Sequence, residues 1–105
     1  MILAQVMGTV VSTRKDHGLL GLKLLLVREV DTALAATGNY VVAADAVGAG
    51  SEEVVLVAQG SSARLTEVSR EKPVDAVIVG IVDSVEIAGR DRYLKGAAGA
   101  APPAR

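Results

Sequence analysis

His17 is the one histidine of this sequence, and it could serve as a metal ligand or a general base. It lies in the polar run Arg14-Lys15-Asp16-His17-Gly18, which is typical of a turn. The chain has no cysteine, so a transition-metal site would have to be completed by carboxylates. We therefore interpret His17 as a surface side chain, and we predict that the protein holds no metal and no cofactor.

Serine hydroxyls occur together in the segment Gly60-Ser61-Ser62-Ala63-Arg64. The segment does not match the G-x-S-x-G nucleophile motif, because Ala63 and Arg64 follow the serines. We interpret Ser61 or Ser62 as the N-cap of a short helix that runs through Thr66. A weak anion site at the N-terminus of that helix, assisted by Arg64, is the alternative.

A short glycine motif, Gly48-Ala49-Gly50, resembles part of a phosphate-binding loop. No Lys-Ser or Lys-Thr pair follows it, and Glu52 and Glu53 would repel a phosphate. We interpret the motif as a tight turn between two strands that uses the conformational freedom of glycine.

The carboxylates Asp75 and Asp83 lie eight residues apart on one predicted strand face. Eight residues of strand separate them by roughly 26 Å, so they cannot share a proton as an acid and base pair. With no catalytic constellation in the sequence, we predict that the chain is not an enzyme.

Alternation of apolar and polar residues predicts five strands, and these are the elements that must position any functional surface. We place the strands at residues 2–13, 20–29, 40–47, 54–58 and 74–87. Residues 31–39 are either one helical turn or a loop. Gly80, within the fifth strand, indicates a bend or a close backbone contact.

Five short strands with one short helix predict a mainly all-β domain, a small five-stranded OB-like β-barrel. Phe and Trp are absent, so the core must consist of Val, Leu, Ile and Ala. We assign residues 1–93 to this barrel and predict that the Gly/Ala/Pro-rich tail 94–105 is disordered. Strands 40–47 and 54–58 are apolar on both faces, so we expect their outer faces to pack against identical neighbours.

Charge and hydropathy exclude several partners. The formal net charge is -1 and the aromatic residues are two tyrosines, which disfavours a nucleic-acid-binding OB domain because that class needs a basic groove and stacking rings. No apolar run approaches the ~20 residues of a membrane-spanning helix, and the N-terminus lacks the basic region of a signal peptide. We predict no nucleic-acid partner and no membrane partner.

Five segments, in order along residues 6–83, resemble one known family, the vertex proteins of bacterial microcompartments, found in carboxysomes and in ethanolamine-type and glycyl-radical-type organelles. The segments are Val6-Met7-Gly8-Thr9-Val10-Val11-Ser12-Thr13, Leu19-Leu20-Gly21-Leu22-Lys23-Leu24-Leu25-Leu26-Val27, Asp45-Ala46-Val47-Gly48-Ala49-Gly50 with Glu53, Gly60-Ser61-Ser62-Ala63-Arg64, and Val74-Asp75-Ala76-Val77-Ile78-Val79-Gly80-Ile81-Val82-Asp83. The family pattern commonly has a glycine where this sequence has Glu52. Because a glutamate at positive φ is costly, we expect the loop around Glu52 to differ in geometry.

The resemblance implies a cyclic homopentamer that caps the vertices of a microcompartment shell in the bacterial cytoplasm, beside hexameric or pseudohexameric shell proteins. We expect the ring axis or pore to be approached by small or polar residues of two segments: Gly48, Ala49, Gly50, Ser51 and Glu52, and Ser61 and Ser62. Contacts with neighbouring shell tiles are assigned to Arg14, Lys15 and Asp16. An OB-like nucleic-acid-binding domain and a generic homo-oligomeric scaffold remain the alternatives.

Overall fold

The computed structural model describes residues 1–96, and five of its strands close into a barrel in the order β1-β2-β3-β5-β4. The strands are β1 (Ile2–Val10), β2 (Leu24–Val30), β3 (Ala36–Asp45), β4 (Val54–Gln59) and β5 (Ala76–Ile81). The predicted five-stranded OB-like barrel is confirmed. All neighbouring pairs are antiparallel except β3 and β5, which pair in parallel.

A two-stranded hairpin, β6 (Ser84–Ile87) and β7 (Arg90–Leu94), follows the barrel. Its turn residues Ala88 and Gly89 both have positive φ, as a tight hairpin turn requires. The prediction of one long strand over residues 74–87 is therefore wrong, because β5 ends at Ile81 and the chain starts a separate hairpin at Ser84. The structured chain continues past residue 93, since β7 ends at Leu94. The prediction that the tail 94–105 is disordered concerns mostly residues 97–105, which lie outside the described residues.

Several strand boundaries differ from the predicted ones. The first strand ends at Val10 rather than at residue 13, and the third ends at Asp45 rather than at residue 47. The starts of the second and third strands differ for local reasons. The second strand begins at Leu24 rather than Leu20, because Gly21 adopts a φ of +83° and breaks the extended run. The third strand begins at Ala36, because the segment 31–39, predicted as one helical turn or a loop, forms only a tight turn before that residue. In that turn the Asp31 carboxylate accepts hydrogen bonds from the amides of Ala33 and Ala35.

Short 3-10 helices connect two pairs of strands, His17–Leu19 between β1 and β2 and Gly60–Leu65 after β4. The second 3-10 helix lies where a short helix is predicted, but the prediction that Ser61 or Ser62 is its N-cap is wrong. Its N-cap residue is Gln59, and the Ser62 hydroxyl donates a 2.7 Å hydrogen bond back to the Gln59 carbonyl instead of accepting one from an amide.

The barrel interior is filled by aliphatic side chains, as the composition predicts. Alternate residues of every strand point inward and are fully or almost fully buried: Ala4, Val6, Leu25, Val27, Ala43, Val55, Val57, Ala76 and Ile78. Gly80 lies beside a register shift in the β4–β5 pairing, where an added Cβ would sit 3.4 Å from the Leu56 side chain. The register shift agrees with the bend predicted at Gly80, whereas the neighbour there is a side chain at ordinary van der Waals distance and not a close backbone.

The outer face of the barrel is partly covered by the chain itself. Val54 and Leu56 of β4 pack under the hairpin with Val82, Val85 and Tyr93. On the other side, the second 3-10 helix contributes Ala63 to a cluster on the outer face of β3 and β5. The hairpin covers part of the outer face of the fourth strand, where Val54 is buried and Leu56 is half-buried, so packing of that face against identical neighbours stays a prediction.

Candidate functional site

The side chains that could act as acids, bases or metal ligands lie far apart in the fold. His17 is exposed in the first 3-10 helix, Asp75 is exposed just before β5, and Asp83 is exposed between β5 and β6. Across residues 1–96, no three His, Cys, Asp or Glu side chains are grouped closely enough to hold a metal ion. In the same part of the chain, no helix is long and apolar enough to span a membrane.

The loop 46–53, which joins β3 to β4, is organised by one carboxylate. Asp45 accepts hydrogen bonds from the backbone amides of Val47, Gly48 and Ala49 at 3.0 to 3.2 Å. Three amides that would otherwise need water are thereby satisfied inside the loop. Ala49 is buried in the barrel core, so this carboxylate fixes the loop against the barrel.

Glu52 adopts a φ of +68°, the left-handed conformation that a glycine accepts at low cost. The expected difference in loop geometry from the family pattern stays a prediction, and the strained φ identifies Glu52 as the residue at which it would arise. The loop is held there by two backbone hydrogen bonds, from the Val6 amide to the Glu53 carbonyl and from the Glu52 amide to the Val6 carbonyl, both 2.9 Å.

A buried polar connection joins the loop to β1 and β2. The Arg28 guanidinium donates a 2.7 Å hydrogen bond to the side-chain oxygen of Gln5, and the Gln5 amide donates to the Glu52 carbonyl at 3.3 Å. Both Arg28 and Gln5 are 2% exposed on the outer side of the barrel. Sequence reasoning missed this pair, since outward-facing polar residues on strands are normally solvated.

The loop is also tied to the end of the hairpin by an ion pair. The Lys95 ammonium lies 2.6 Å from Glu53, whose other oxygen accepts a hydrogen bond from the Gly50 amide. The hydrogen bond from Lys95, together with that amide, holds the pKa of Glu53 below its ordinary value of 4.5. The ionised glutamate thus joins the hairpin, the loop and β4.

This ion pair predicts a loss of stability in acid. Because the folded-state pKa of Glu53 is lowered, its contribution is present above about pH 4.5 and is lost as the pH falls through the folded value. We expect Glu53→Gln to cost about 1 kcal/mol near neutral pH, since the pair is partly exposed. In thermal unfolding at fixed protein concentration, the gap between wild type and variant should close as the pH falls below 4.5.

Lys95→Met is the matched control, since it removes the ion pair and leaves the Gly50 hydrogen bond. The difference in thermal stability between wild type and Lys95→Met should be smaller than for Glu53→Gln and should show the same pH dependence. A gap of constant size from neutral to acidic pH would contradict the assigned ionisation of Glu53.

Glu52 gives a second prediction, which separates backbone strain from charge repulsion. Glu52→Gly relieves the positive φ and also removes the charge, so it should raise stability by about 1 kcal/mol at high salt, where repulsion is screened, and by more at low salt if the copies converge. Glu52→Gln keeps the strained backbone and removes the charge. If five copies of Glu52 converge on a ring axis, Glu52→Gln should also stabilise the assembly, and more strongly at low salt. Melting temperatures of both variants at low and high ionic strength measure the two effects.

The two segments assigned to the ring axis lie at opposite ends of β4. Gly48, Ala49, Gly50, Ser51 and Glu52 precede the strand, whereas Ser61 and Ser62 follow it. A six-residue strand separates them by roughly 17 Å, so they form two regions and not one. In the second region Ser61 and Ser62 are exposed, whereas Ala63 is buried.

Arg14, Lys15 and Asp16 are exposed in the connection from β1 to the first 3-10 helix. Two of these side chains have local partners: Lys15 donates to the Ser12 carbonyl at 2.9 Å, and Asp16 accepts from the Gly18 amide at 2.8 Å. The three residues form an exposed polar segment, and Asp16 is the N-cap of the first 3-10 helix.

The hairpin is the largest feature that sequence reasoning missed. It buries Tyr93 against Val30, Leu34 and Val54 on the outer face of the barrel. The available signals were weak: a single Ala88-Gly89 pair for the turn and a charged second strand, Arg90-Asp91-Arg92-Tyr93-Leu94.

Known proteins are similar to this chain in both sequence and fold. Residues 1–83 match a family model described as "Ethanolamine utilisation protein EutN/carboxysome". The carboxysome shell vertex protein CcmL of Synechocystis sp. is 50% identical over 95 residues, which cover 90% of this chain and 95% of that protein.

Solved structures agree with the sequence comparison. The structure of Gloeobacter violaceus CcmL has a TM-score of 0.89 and 44% identity, covering 92% of this chain and all of that one. The GrpN pentameric microcompartment shell protein from Rhodospirillum rubrum has a TM-score of 0.76 and 46% identity, covering 84% of this chain and 99% of that one. The fold of this chain is therefore similar to that of solved shell vertex proteins over most of its length.

Proposed function

The chain belongs to the EutN/CcmL family of bacterial microcompartment shell vertex proteins, and we propose that it forms homopentamers that close the vertices of a microcompartment shell. The observation that carries this proposal is the similarity to CcmL across 90% of the chain, on the same closed barrel. The protein is a structural component of the shell.

Shell geometry explains why such a unit is needed. A layer tiled by six-fold units alone can remain flat, whereas a closed polyhedron requires points of five-fold symmetry. A ring of five small, rigid barrels supplies such a point. We therefore propose that the partners are hexameric or pseudohexameric shell proteins, and that the shell lies in the bacterial cytoplasm.

We propose different roles in the shell for two sets of residues. The small and polar residues of the 48–52 loop, or Ser61 and Ser62, approach the ring axis, where backbones from five subunits converge. Arg14, Lys15 and Asp16 contact the neighbouring tiles, since rims between separately folded components are commonly polar. The exposure of all three side chains supports this assignment.

We also propose that the chain has no catalytic activity and no nucleic-acid partner. Its chemically versatile side chains are dispersed along the fold, and its formal net charge is -1. Non-specific nucleic-acid binding by an OB-like barrel depends on a basic groove and on stacked aromatic rings. A gel shift with submicromolar affinity at low salt would contradict this proposal.

Deletion of the gene tests the proposed role in the organism. Shells that lack the vertex unit should be elongated or open at their corners, and still built from the hexagonal proteins. Addition of the purified protein to such shells should seal them, as measured by electron microscopy and by retention of an encapsulated marker. Closed shells of normal shape in the deletion strain, with no second vertex protein present, would refute the proposal.

A further inference from the structure

An apolar groove lies on the outer face of the barrel, beside the parallel pairing of β3 and β5. Its volume is about 290 Å³, and three segments line it: the start of the 46–53 loop, β5, and the connection that follows the second 3-10 helix. The lining residues are Ala46, Val47, Thr66, Glu67, Val68 and Val79. Ala46 and Val79 also pack against the cluster around Ala63, so the floor of the groove is part of the folded structure.

One wall of the groove is fixed by a buried serine. Ser69 is fully buried, its hydroxyl donates a hydrogen bond to the Ala63 carbonyl, and its amide donates to the Thr66 hydroxyl at 3.0 Å. These bonds hold the connection 66–69 against the second 3-10 helix. Because the wall is already ordered, a segment that docks there meets little cost of ordering the groove.

The rim of the groove combines exposed apolar area with one carboxylate. Val47 is 40% exposed and Val68 is 37% exposed. Glu67 is exposed, and no cation within residues 1–96 forms an ion pair with it. The segment that fits this groove therefore carries small apolar side chains and one cation.

The segment 97–105 of the same chain has this chemistry. Its sequence, Ala-Ala-Gly-Ala-Ala-Pro-Pro-Ala-Arg, contains small apolar residues, no acidic residue and one cation, Arg105. Alone, such a segment buries too little apolar area to offset the entropy of ordering, which is why the sequence predicts disorder; the groove supplies additional area. The segment also lies outside the residues 1–83 that match the family model, so family membership implies no position for it.

The hairpin ends close enough to the groove for this segment to reach it. The Lys95 amide donates a 2.8 Å hydrogen bond to the Asp83 carbonyl, and Asp83 follows Val79 of the groove by four residues. Four residues span at most about 14 Å, whereas an extended segment 97–105 spans up to ~30 Å. The segment is therefore long enough to enter the groove and to run along it.

We propose that residues 97–105 dock in this groove of their own chain, with their two prolines against Val47 and Val68 and the Arg105 guanidinium at Glu67. Proline fixes φ, so the segment loses little conformational entropy when it docks. The docked segment covers apolar area that the barrel and the hairpin leave exposed. The contact lies within one chain and does not depend on the proposed pentamer.

Disulfide formation in the full chain tests the docking, because the sequence has no native cysteine. The double variant Val68→Cys/Ala104→Cys should form a bond within one chain under mild oxidation. Ile87→Cys/Ala104→Cys is the matched control. Ile87 is exposed and pairs with Arg90, four residues before Leu94, so it lies about 13 Å from the end of β7, a distance similar to that of the groove.

The bond at position 68 should form at least about ten times faster than the bond at position 87, since docking raises the effective concentration of the segment at the groove. The mass of the denatured chain and a non-reducing gel distinguish a bond within one chain from a bond between chains. Equal rates at the two positions would overturn the docking, because an undocked segment samples both surfaces alike. Cross-linked dimers in place of the bond within one chain would place the segment on a second copy and would overturn it too.

Charge reversal tests the pairing of Arg105 with Glu67. In the Val68→Cys/Ala104→Cys variant, Glu67→Lys should slow bond formation, and the further change Arg105→Glu should restore the rate. Both effects should be larger at low salt, because the pair is exposed. An unchanged rate in the Glu67→Lys variant, or a slowed rate that Arg105→Glu does not restore, would overturn the assigned pair.

Discussion

Replacement of Tyr93 by alanine is expected to lower the free energy of unfolding by about 3 to 5 kcal/mol. Tyr93 is 4% exposed and packs with Val30, Leu34, Val54 and Val82, where the hairpin covers the barrel. Its removal leaves a cavity and uncovers Val54 and Leu56 on the outer face of the barrel. Chemical unfolding at fixed protein concentration measures the loss.

Tyr93→Phe is the matched control, because it retains the ring and removes the hydroxyl. Burial raises the pKa of the Tyr93 hydroxyl above its ordinary value of 10.0. The corresponding stability is fully present below pH 10 and is lost as the pH rises through the folded value. The phenylalanine variant should therefore be close to wild type at neutral pH and lose less stability in alkali. An alanine variant as stable as wild type would show that the hairpin does not stabilise the barrel.

Replacement of Asp45 by alanine is expected to cost about 2 kcal/mol, because three backbone amides lose a charged acceptor. Those amides belong to Val47, Gly48 and Ala49, and they set the course of the loop assigned to the ring axis. The variant should also increase amide hydrogen exchange across residues 46–53 while the exchange of β2 remains unchanged.

Asp45→Asn tests the same contacts with a smaller change. The asparagine oxygen can still accept from the loop amides, so the expected loss is about half that of the alanine variant. Equal losses in the two variants would mean that the negative charge, and not the acceptor geometry, organises the loop. No loss in either variant would contradict the assigned role of Asp45.

The strands were predictable where burial imposes a regular pattern. Alternation along β1 and the apolar run of β4 identify buried strands, and the absence of Phe and Trp predicts the aliphatic interior. The strand ends were less predictable. Leu20 and Leu22 continue the apolar alternation of β2, but the left-handed Gly21 between them prevents extension.

The hairpin could not be predicted from alternation, because it covers the barrel through few side chains. Val85 and Tyr93 pack inward, whereas Arg90, Asp91 and Arg92 are exposed. The buried Gln5–Arg28 pair could not be predicted either, because its hydrogen bond joins residues 23 apart in sequence on β1 and β2. A polar residue on a strand gives no local sign of such a partner.

Glu52 illustrates a different limit of sequence reasoning. A glutamate is not expected to adopt positive φ, since that region disfavours side chains. Glu52 nevertheless adopts it, and backbone hydrogen bonds to Val6 on β1 hold the loop there. Those bonds link residues far apart in sequence, so their contribution is not visible in the local pattern.

The mass of the native assembly tests the central proposal most directly. Native mass spectrometry of the purified full-length chain at low micromolar concentration should give one dominant species of five protomers, each of 10.7 kDa. A ring of five is the property that a shell vertex requires and that a catalytic or nucleic-acid-binding barrel does not. A dominant monomer, or a ring with an even number of subunits, would contradict the account.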